Sequence, residues 1–503
     1  MAGLKKLAKE TAIYGLSSIV GRFLNWCLVP LYSYVLVDSS DYGIVTNLYA
    51  WTALVVIILT YGMETGFFRF INKQSPSEQA DNSVYSTTLT SVGFSSFLFA
   101  FLCVIFGSSI ASGLGYASHP EFIVMLGIVV SMDAFDSIPF SYLRYKNKPI
   151  VFASLKLLMI FVNIAFNLFF LVICPKLAVS HPELIEWFYR PDYGVGYIFV
   201  ANLISTATVT LALLPYIFVG KWNFQFKLLG QMLKYSLPLL LLGVAGIMNQ
   251  SIDKIIFPVV YPDSSEAMSE LGVYGACFKV AMVMMMFTYA FRFAYEPFVF
   301  AKNKDADSKA TYSDAMKYFV ITTLAIFLFI VAYIDIFKLL LGPQYRGGIR
   351  VIPIVLMAYF LQGVMYNLSL WYKLIDRTSF GAWFSIIGFV ITVLINVIYI
   401  PQYGYMACAW ASLVSAVVMT LLSYFFGQKY YPIDYKLKTL GLYFGLVLLL
   451  FVAMSLVTIE NEVVNILYRT VLLLVFVGVV VRKEWPILRP KQHRKSDLPN
   501  EVI

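Results

Sequence analysis

Fourteen apolar segments, each long enough to cross a lipid bilayer, follow one another through this 503-residue chain and leave little between them. A helix needs about 20 mostly apolar residues to span the hydrocarbon core. The segments lie near residues 11–36, 43–66, 84–113, 120–141, 150–174, 195–220, 232–260, 271–299, 313–334, 349–373, 379–400, 405–427, 437–458 and 463–482. Uniform apolar runs predict helices, which satisfy their own backbone groups in lipid, rather than the alternating strands of a barrel. The expected fold class is therefore an all-α polytopic membrane protein with 14 transmembrane helices. Only 13% of residues are charged, against about 25% in a soluble domain. With no room for a catalytic domain outside the bilayer, the chain is expected not to be an enzyme.

The formal charge of +9 raises nucleic acid as a partner, but the placement of Lys and Arg argues against it. Put the N-terminus, with Lys5, Lys6 and Lys9, in the cytoplasm. Then 26 of the 37 basic residues fall on cytoplasmic connections or the C-terminal tail, and five (Lys176, Arg190, Lys338, Arg346, Arg350) fall outside. The positive-inside rule thus predicts a multi-pass protein with both termini cytoplasmic. The apolar run from Thr11 is too long for a signal-peptide core and is expected to persist as the first helix. Cys27, Cys103, Cys174, Cys277 and Cys408 are scattered singly and read as packing residues. No metal site is expected.

A repeat is hidden in the spacing. Shifted by 229, Gly43 falls on Gly272, Arg144 on Lys373 and Asn167 on Asn396. Beyond them the shift falls to 210, and Pro191-Asp192-Tyr193-Gly194 lines up with Pro401-Gln402-Tyr403-Gly404. The difference places an insertion near Pro175–Arg190, read as an amphipathic excursion rather than another span. Six spans separate equivalent positions, so the halves cross in the same direction, as in parallel-repeat transporters with a substrate site near mid-membrane. The expected division is an N-lobe at 1–222, a C-lobe at 223–430, two further helices at 431–485 and a cytoplasmic tail at 486–503.

Charges inside the spans are costly and point to cavities or partners. Lys156 and Arg469 lie near span ends and are expected to snorkel. Arg22 is too deep for that, and Tyr14, Ser18, Arg22 and Asn25 recur at helical spacing as one polar stripe. The repeat-equivalent span carries Asn249, Asp253 and Lys254, so the two stripes read as opposing walls of one cavity. Arg292 and Glu296 are four apart, either an intrahelical ion pair or a cavity cation with a gating acid. Lys279 either snorkels or lines the cavity. Asp133 and Asp136 share a helix face and could partner Arg144 or Arg22, while Glu64 reads as gate or anchor. The substrate-binding candidates are therefore Arg22, Asn25, Lys254, Lys279 and Arg292. The gating or ion-coupling candidates are Glu64, Asp133, Asp136, Asp253 and Glu296. Arginine forks and lysine point charges in a low-dielectric cavity suit a phosphate.

The same residues carry a family resemblance. Matching stretches run from Pro30-Leu31-Tyr32 to Tyr42-Gly43, from Tyr61-Gly62-Met63-Glu64 to Arg69, and from Asp133 through Pro139 to Leu143-Arg144. Others are Ser236-Leu237-Pro238 through Asp253-Lys254, Gly272-Val273-Tyr274, Phe291 through Pro297-Phe298, and Pro401-Gln402-Tyr403-Gly404 with Ala407 and Ala409. The chain resembles polysaccharide biosynthesis proteins of the O-antigen flippase (Wzx) type. These belong with the multidrug-and-toxin exporters and lipid II flippases. The resemblance implies a two-lobed, V-shaped fold in the bacterial inner membrane. It also implies that the chain flips undecaprenyl-pyrophosphate-linked oligosaccharide by alternating access, for O-antigen, capsule or exopolysaccharide. Arg22 matches in approximate position a mid-membrane arginine that lipid II flippases use, and Asp253-Lys254 matches an acidic–basic pair. Expected partners are the lipid-linked oligosaccharide, membrane lipids, and the polymerase and glycosyltransferases of such a pathway. No cofactor is expected; coupling to a proton or sodium gradient stays open, since the eleventh and twelfth spans carry no acid. The rival reading is a multidrug or cation antiporter of the same fold.

Overall fold

The computed structural model describes residues 15–17, 19–73, 82–220, 222–302, 308–457 and 459–488. Tyr14, Ser18, the N-terminal lysines, Lys304 and most of the 486–503 tail lie outside them, as does the side chain of Glu296. Among the described residues there is no strand. Residues 15–17 and 19–26 are helical, and Leu28–Val35 continues them past a turn at Cys27 to complete α1. There follow α2 (Ser39–Ile71), α3 (Ser83–Gly113), α4 (Pro120–Tyr145), α5 (Pro149–Ser180), α6 (Gly196–Ile217) and α7 (Phe226–Val260). Next come α8 (Ala267–Lys302) and α9 (Ser308–Ala332), α10 (Pro343–Leu374), α11 (Ser379–Tyr403), α12 (Tyr405–Tyr430) and α13 (Leu437–Leu456). The last is α14 (Glu462–Leu488). Among the described residues, thirteen helices, α2 through α14, are long and apolar enough to cross a membrane. With α1 they reproduce the order read from the hydropathy pattern.

Local chemistry sets the ends. The Asp38 carboxylate accepts from the Ser40 amide at 2.9 Å and caps α2. Pro120 and Pro149 open α4 and α5 at the position where a missing N–H costs nothing. Within α2 the helix is broken by Tyr61 and Gly62, both at positive φ (31° and 73°). A Cβ on Gly62 would meet the Ser236 carbonyl oxygen of α7 at 2.8 Å, so the break falls where the two helices touch. The chain also departs from the expected end of the fifth span near 174. A π-helical turn at Phe169–Ile173 leads into Cys174–Ser180, which carries α5 into the inserted segment. The insertion then runs through a 3₁₀ turn at Pro182–Leu184 and exposes Val179, Leu184 and Trp187.

The chain divides into two compact units. The larger holds 1–308 and 338–433, and the smaller holds 309–337 and 434–503. The sequence reading placed 313–334 in the C-lobe; in the structure this helix, α9, groups with α13 and α14.

In the larger unit the halves meet where α2 crosses α8. A Cβ on Gly43 would collide with the Met268 carbonyl, and one on Gly272 with the Ser39 carbonyl. Positions 43 and 272 differ by 229, as do 39 and 268, so the contact is reciprocal. Reciprocity is the signature of an approximate two-fold relation between surfaces. Ser39 and Ser269 join their hydroxyls at 2.5 Å beside it. Only glycine allows backbones this close.

The smaller unit is held by charge. Lys317 of α9 meets Glu484 of α14 at 2.6 Å, with both side chains buried, and the Tyr443 hydroxyl of α13 donates to the same carboxylate at 2.9 Å. Arg469 contacts Asp335 at 2.8 Å. Its expected snorkelling is thus replaced by an ion pair.

Candidate functional site

Two cavities lie inside the larger unit and share part of their lining. The first, of about 470 Å³, is enclosed by α1, α2, α4, α5 and α6 with one residue from α8. Arg22 and Asn25 reach it from α1, Asp133 from α4, Lys156 and Asn163 from α5, and Lys279 from α8. The second, of about 350 Å³, lies between α1, α2, α7, α8, α10 and α12, with Asn25, Asn249, Gln250, Lys254, Lys279 and Gln362 among its lining. Asn25, Tyr32, Tyr49 and Lys279 face both. Of the two polar stripes, Arg22 and Asn25 of α1 and Asn249 and Lys254 of α7 line these cavities.

Four cations line these cavities (Arg22, Lys156, Lys254, Lys279), against one carboxylate, Asp133. Their partners differ. Lys254 folds back onto Asp253, with Nζ at 3.1 and 3.0 Å from the two carboxylate oxygens. Adjacent helix residues point roughly 100° apart, so the contact depends on the long lysine stem. Tyr274 donates to Asp253 at 2.7 Å, and Asn47 of α2 donates to the Lys254 carbonyl at 2.7 Å. The ammonium also lies 3.8 Å from the centre of the Phe278 ring. Asp253 is thereby a buried counter-ion, and only the lysine lines the cavity.

Arg22, Lys156 and Lys279 make no ion pair among the described residues. The Arg22 guanidinium stacks over Tyr289 at 4.6 Å, and Lys156 lies over Phe140 at 4.0 Å. Lys156 was expected to snorkel to an interface; it turns inward because α5 packs its face against α1 and α4, where Asp133 supplies a carboxylate across the same cavity. Lys279, for which snorkelling and cavity lining both stood open, lines both cavities. Its backbone carbonyl accepts from the Trp26 indole at 2.8 Å, joining α8 to α1.

Arg292 departs from the expectation of a shared cavity. It borders a separate small recess of about 20 Å³ with Thr288, Tyr295 and Tyr366, and lies 5.3 Å from the Tyr366 ring. Tyr366 in turn lies beside Tyr289, the ring over which Arg22 stacks. The remaining acids take structural partners. Glu64 pairs with Arg144 at 3.0 Å across α2 and α4, which removes Arg144 as the partner expected for Asp133 or Asp136. Asp136 accepts from Thr210 of α6 at 2.8 Å. Neither Glu64 nor Asp136 lines the two large cavities.

Sequence reading did not single out Tyr289, Asn163, Gln250 or Gln362. A signal existed for Asn163, seven residues after Lys156 and so on the same helix face. For Gln250 and Gln362 no spacing rule distinguishes a cavity amide from a lipid-edge one.

No known family model matches the chain, and no curated protein does either. Solved structures share its fold. One is the lipid II flippase MurJ in an inward closed conformation, at TM-score 0.71 and 15% identity over 93% of this chain and 99% of that one. Another is a multidrug resistance MATE family transporter of the MOP superfamily, inward-facing, at TM-score 0.62 and 14% identity over 82% and 94%. A third is the MATE multidrug transporter DinF-BH, solved as a complex, at TM-score 0.59 and 16% identity over 84% and 95%.

Proposed function

We propose that the chain is a transporter that flips a lipid carrying an anionic, phosphate-bearing head group. The fullest form of that reading is an undecaprenyl-pyrophosphate-linked oligosaccharide moved from the inner to the outer leaflet of a bacterial inner membrane, both chain termini being cytoplasmic. The observation that carries it is the lining: four cations to one carboxylate, three of the cations without an ionic partner among the described residues. Unpaired cations in a low-dielectric site are costly unless a ligand completes them. A diphosphate does so, and arginine presents it a planar fork. MurJ, whose fold this chain shares over nearly its whole length, is itself a lipid flippase.

In this reading Arg22 holds the diphosphate and Lys156 and Lys279 share its charge. Arg292 meets the head group on its way in, since Tyr366 of its recess lies beside Tyr289, the ring over which Arg22 stacks. Asp133 keeps Lys156 extended while the cavity is empty. A proton or sodium gradient would drive the cycle through an acid such as Asp133 or Asp253.

Each charge-assisted contact to a phosphate contributes about 1.5–3 kcal/mol. Arg22→Ala should therefore reduce flipping at least about tenfold, with Arg22→Lys recovering part. Arg292→Ala should cost less. Flipping of a fluorescent undecaprenyl-diphosphate lipid in vesicles, normalised to inserted protein, is the measurement; wild-type rates from Arg22→Ala would overturn the reading. The second reading, a multidrug or cation antiporter, is favoured by Asp133 facing the cavity and by the MATE structures. Uptake of a fluorescent drug cation that depends on Asp133 and survives Arg22→Ala would establish it instead.

A further inference from the structure

The second cavity carries a kind of chemistry that phosphate binding does not explain. No carboxylate lines it, so it is not built for a cation. Yet its cations are not its main polar feature either. Gln250, Ser251, Gln362 and Ser412 face it, and among the described residues none of their side chains makes a hydrogen bond. Glutamine offers an N–H₂ donor and a carbonyl acceptor together, and serine likewise donates and accepts. An acceptor oxygen repels a phosphate. A ligand that satisfies all four groups must itself bring donors and acceptors side by side, which is the property of hydroxyl and acetamido groups. Polar groups facing a cavity in the membrane must find partners there or lose free energy.

Both cavities have neutral amides and hydroxyls in their walls, but Asn163, Asn202 and Ser205 of the first are hydrogen-bonded within the protein. The first also holds Arg22, Lys156 and Asp133, whereas the second sets its neutral groups between apolar walls such as Val355 and Met282, with Lys254 already committed to Asp253. Lys279 and Asn25 stand in the wall common to both. A head group made of a diphosphate followed by a sugar has the same order of chemistry. At about 350 Å³ the second cavity falls within the ~300–1,000 Å³ typical of ligand pockets.

We infer that the cavity between α7, α8, α10 and α12 is a saccharide subsite, in which Gln250 and Gln362 bind the hydroxyl or acetamido groups of the sugar next to the diphosphate and Lys279 sits at the junction of sugar and phosphate. This rests on the flippase reading above and specifies where the two parts of the head group lie. Gln362 and Gln250 then set preference for a glycosylated over a bare lipid, whereas Arg22 sets affinity for both.

The test uses the full-length protein in nanodiscs with two probes, undecaprenyl diphosphate and undecaprenyl-diphosphoryl-N-acetylglucosamine. Wild type should bind the sugar-bearing probe about tenfold more tightly, the worth of one or two neutral hydrogen bonds. Gln362→Leu and Gln250→Leu should bring that ratio close to one without changing affinity for the bare lipid, and Gln362→Glu, which keeps an acceptor, should recover part of it. Arg22→Ala should weaken both probes equally. Equal binding of the two probes by wild type would overturn the saccharide subsite while leaving the flippase reading intact, the cavity then holding water only. Equal loss of both probes in the glutamine variants, with unchanged melting temperature, would also overturn it. Failure of wild type to bind either probe would instead bring down the flippase reading beneath it.

Discussion

The two units of the molecule treat the charges in their spans differently, although the larger one also holds one buried pair, Lys254 with Asp253. In the smaller one, Lys317 meets Glu484 and Arg469 meets Asp335. In the larger one, Arg22, Lys156 and Lys279 face open cavities with aromatic neighbours and no ion pair among the described residues. The paired charges tie three helices together in one arrangement. In the function proposed above, the unpaired ones are the ones that meet the ligand. Joints differ in the same sense: the smaller unit is bonded through side-chain charge, while in the larger one α2 crosses α8 at bare glycine backbone and one serine pair, with neutral hydrogen bonds from Trp26 and Asn47 to the Lys279 and Lys254 carbonyls beside it. A contact of the second kind can part without stranding a buried ion, which fits the alternating access of the transporter proposed above.

The largest effect expected from this contrast is at Lys317. Lys317→Met leaves Glu484 buried and charged with only the Tyr443 hydroxyl, and removing one partner of a buried pair typically costs about 3–5 kcal/mol. The variant should show a large drop in melting temperature in detergent. The double variant Lys317→Met with Glu484→Leu should recover most of it. If the single variant melts like wild type, the pair does not hold the smaller unit together, and the comparison loses one side.

Next comes the crossing of α2 and α8. Gly43→Ala must push the Met268 carbonyl away, and overpacking of this kind costs about 1–3 kcal/mol. The reciprocal geometry makes a sharper demand: Gly272→Ala, which pushes on the Ser39 carbonyl, should cost the same. Thermal melts that differ widely between the two would break the two-fold relation at this contact.

Much of this was readable from the chain itself. The helices follow from apolar runs and from Pro, Asp and Gly at their ends, because backbone satisfaction in lipid leaves a span few alternatives. Gly43 and Gly272 were found by their spacing, since a close backbone crossing constrains both repeats alike. Arg22 was singled out by its depth in a span, and Asn25 and Lys254 by the polar stripes; the structure places all three on cavity walls. Partnership could not be read. Nothing in the order of residues says that Arg144 chooses Glu64 over Asp133, that Lys156 turns inward, or that Arg292 sits in a recess beside Tyr366, because those choices depend on which helices become neighbours. The grouping of α9 with α13 and α14 was missed for the same reason: it is tied by three ion pairs, Lys317–Glu484, Asp314–Lys436 and Asp335–Arg469, between residues more than a hundred positions apart.

A smaller stability effect separates unpaired from paired cations directly. Lys279→Met removes a cavity-facing charge that pairs with no acid among the described residues, so the melting temperature should stay level or rise, in contrast to Lys317→Met. Transport of the phosphate-bearing lipid should nevertheless fall about tenfold, the order of one charge-assisted contact. A destabilised Lys279→Met protein would mean that the cation is structural and that the contrast between the units is one of degree.

The smallest expected effect concerns the serines beside the glycine crossing. Ser39 and Ser269 share a hydrogen bond at 2.5 Å, and a neutral bond of this kind contributes about 0.5–1.5 kcal/mol. Either alanine variant alone leaves one hydroxyl without this partner, whereas the double variant removes both. Ser39→Ala and Ser269→Ala should thus each lower stability slightly, and the double variant should do little worse than one alone. The functional reading points the other way. If this contact must open during the cycle, weakening it lowers the cost of separation, and transport by the double variant should be unchanged or modestly faster. Replacing both serines with cysteine gives the opposite perturbation: oxidation to a disulfide should stop transport, and a reductant should restore it. Full transport by the oxidised protein would show that the crossing does not open, and the glycine contact would then be a fixed joint like the ion pairs of the smaller unit.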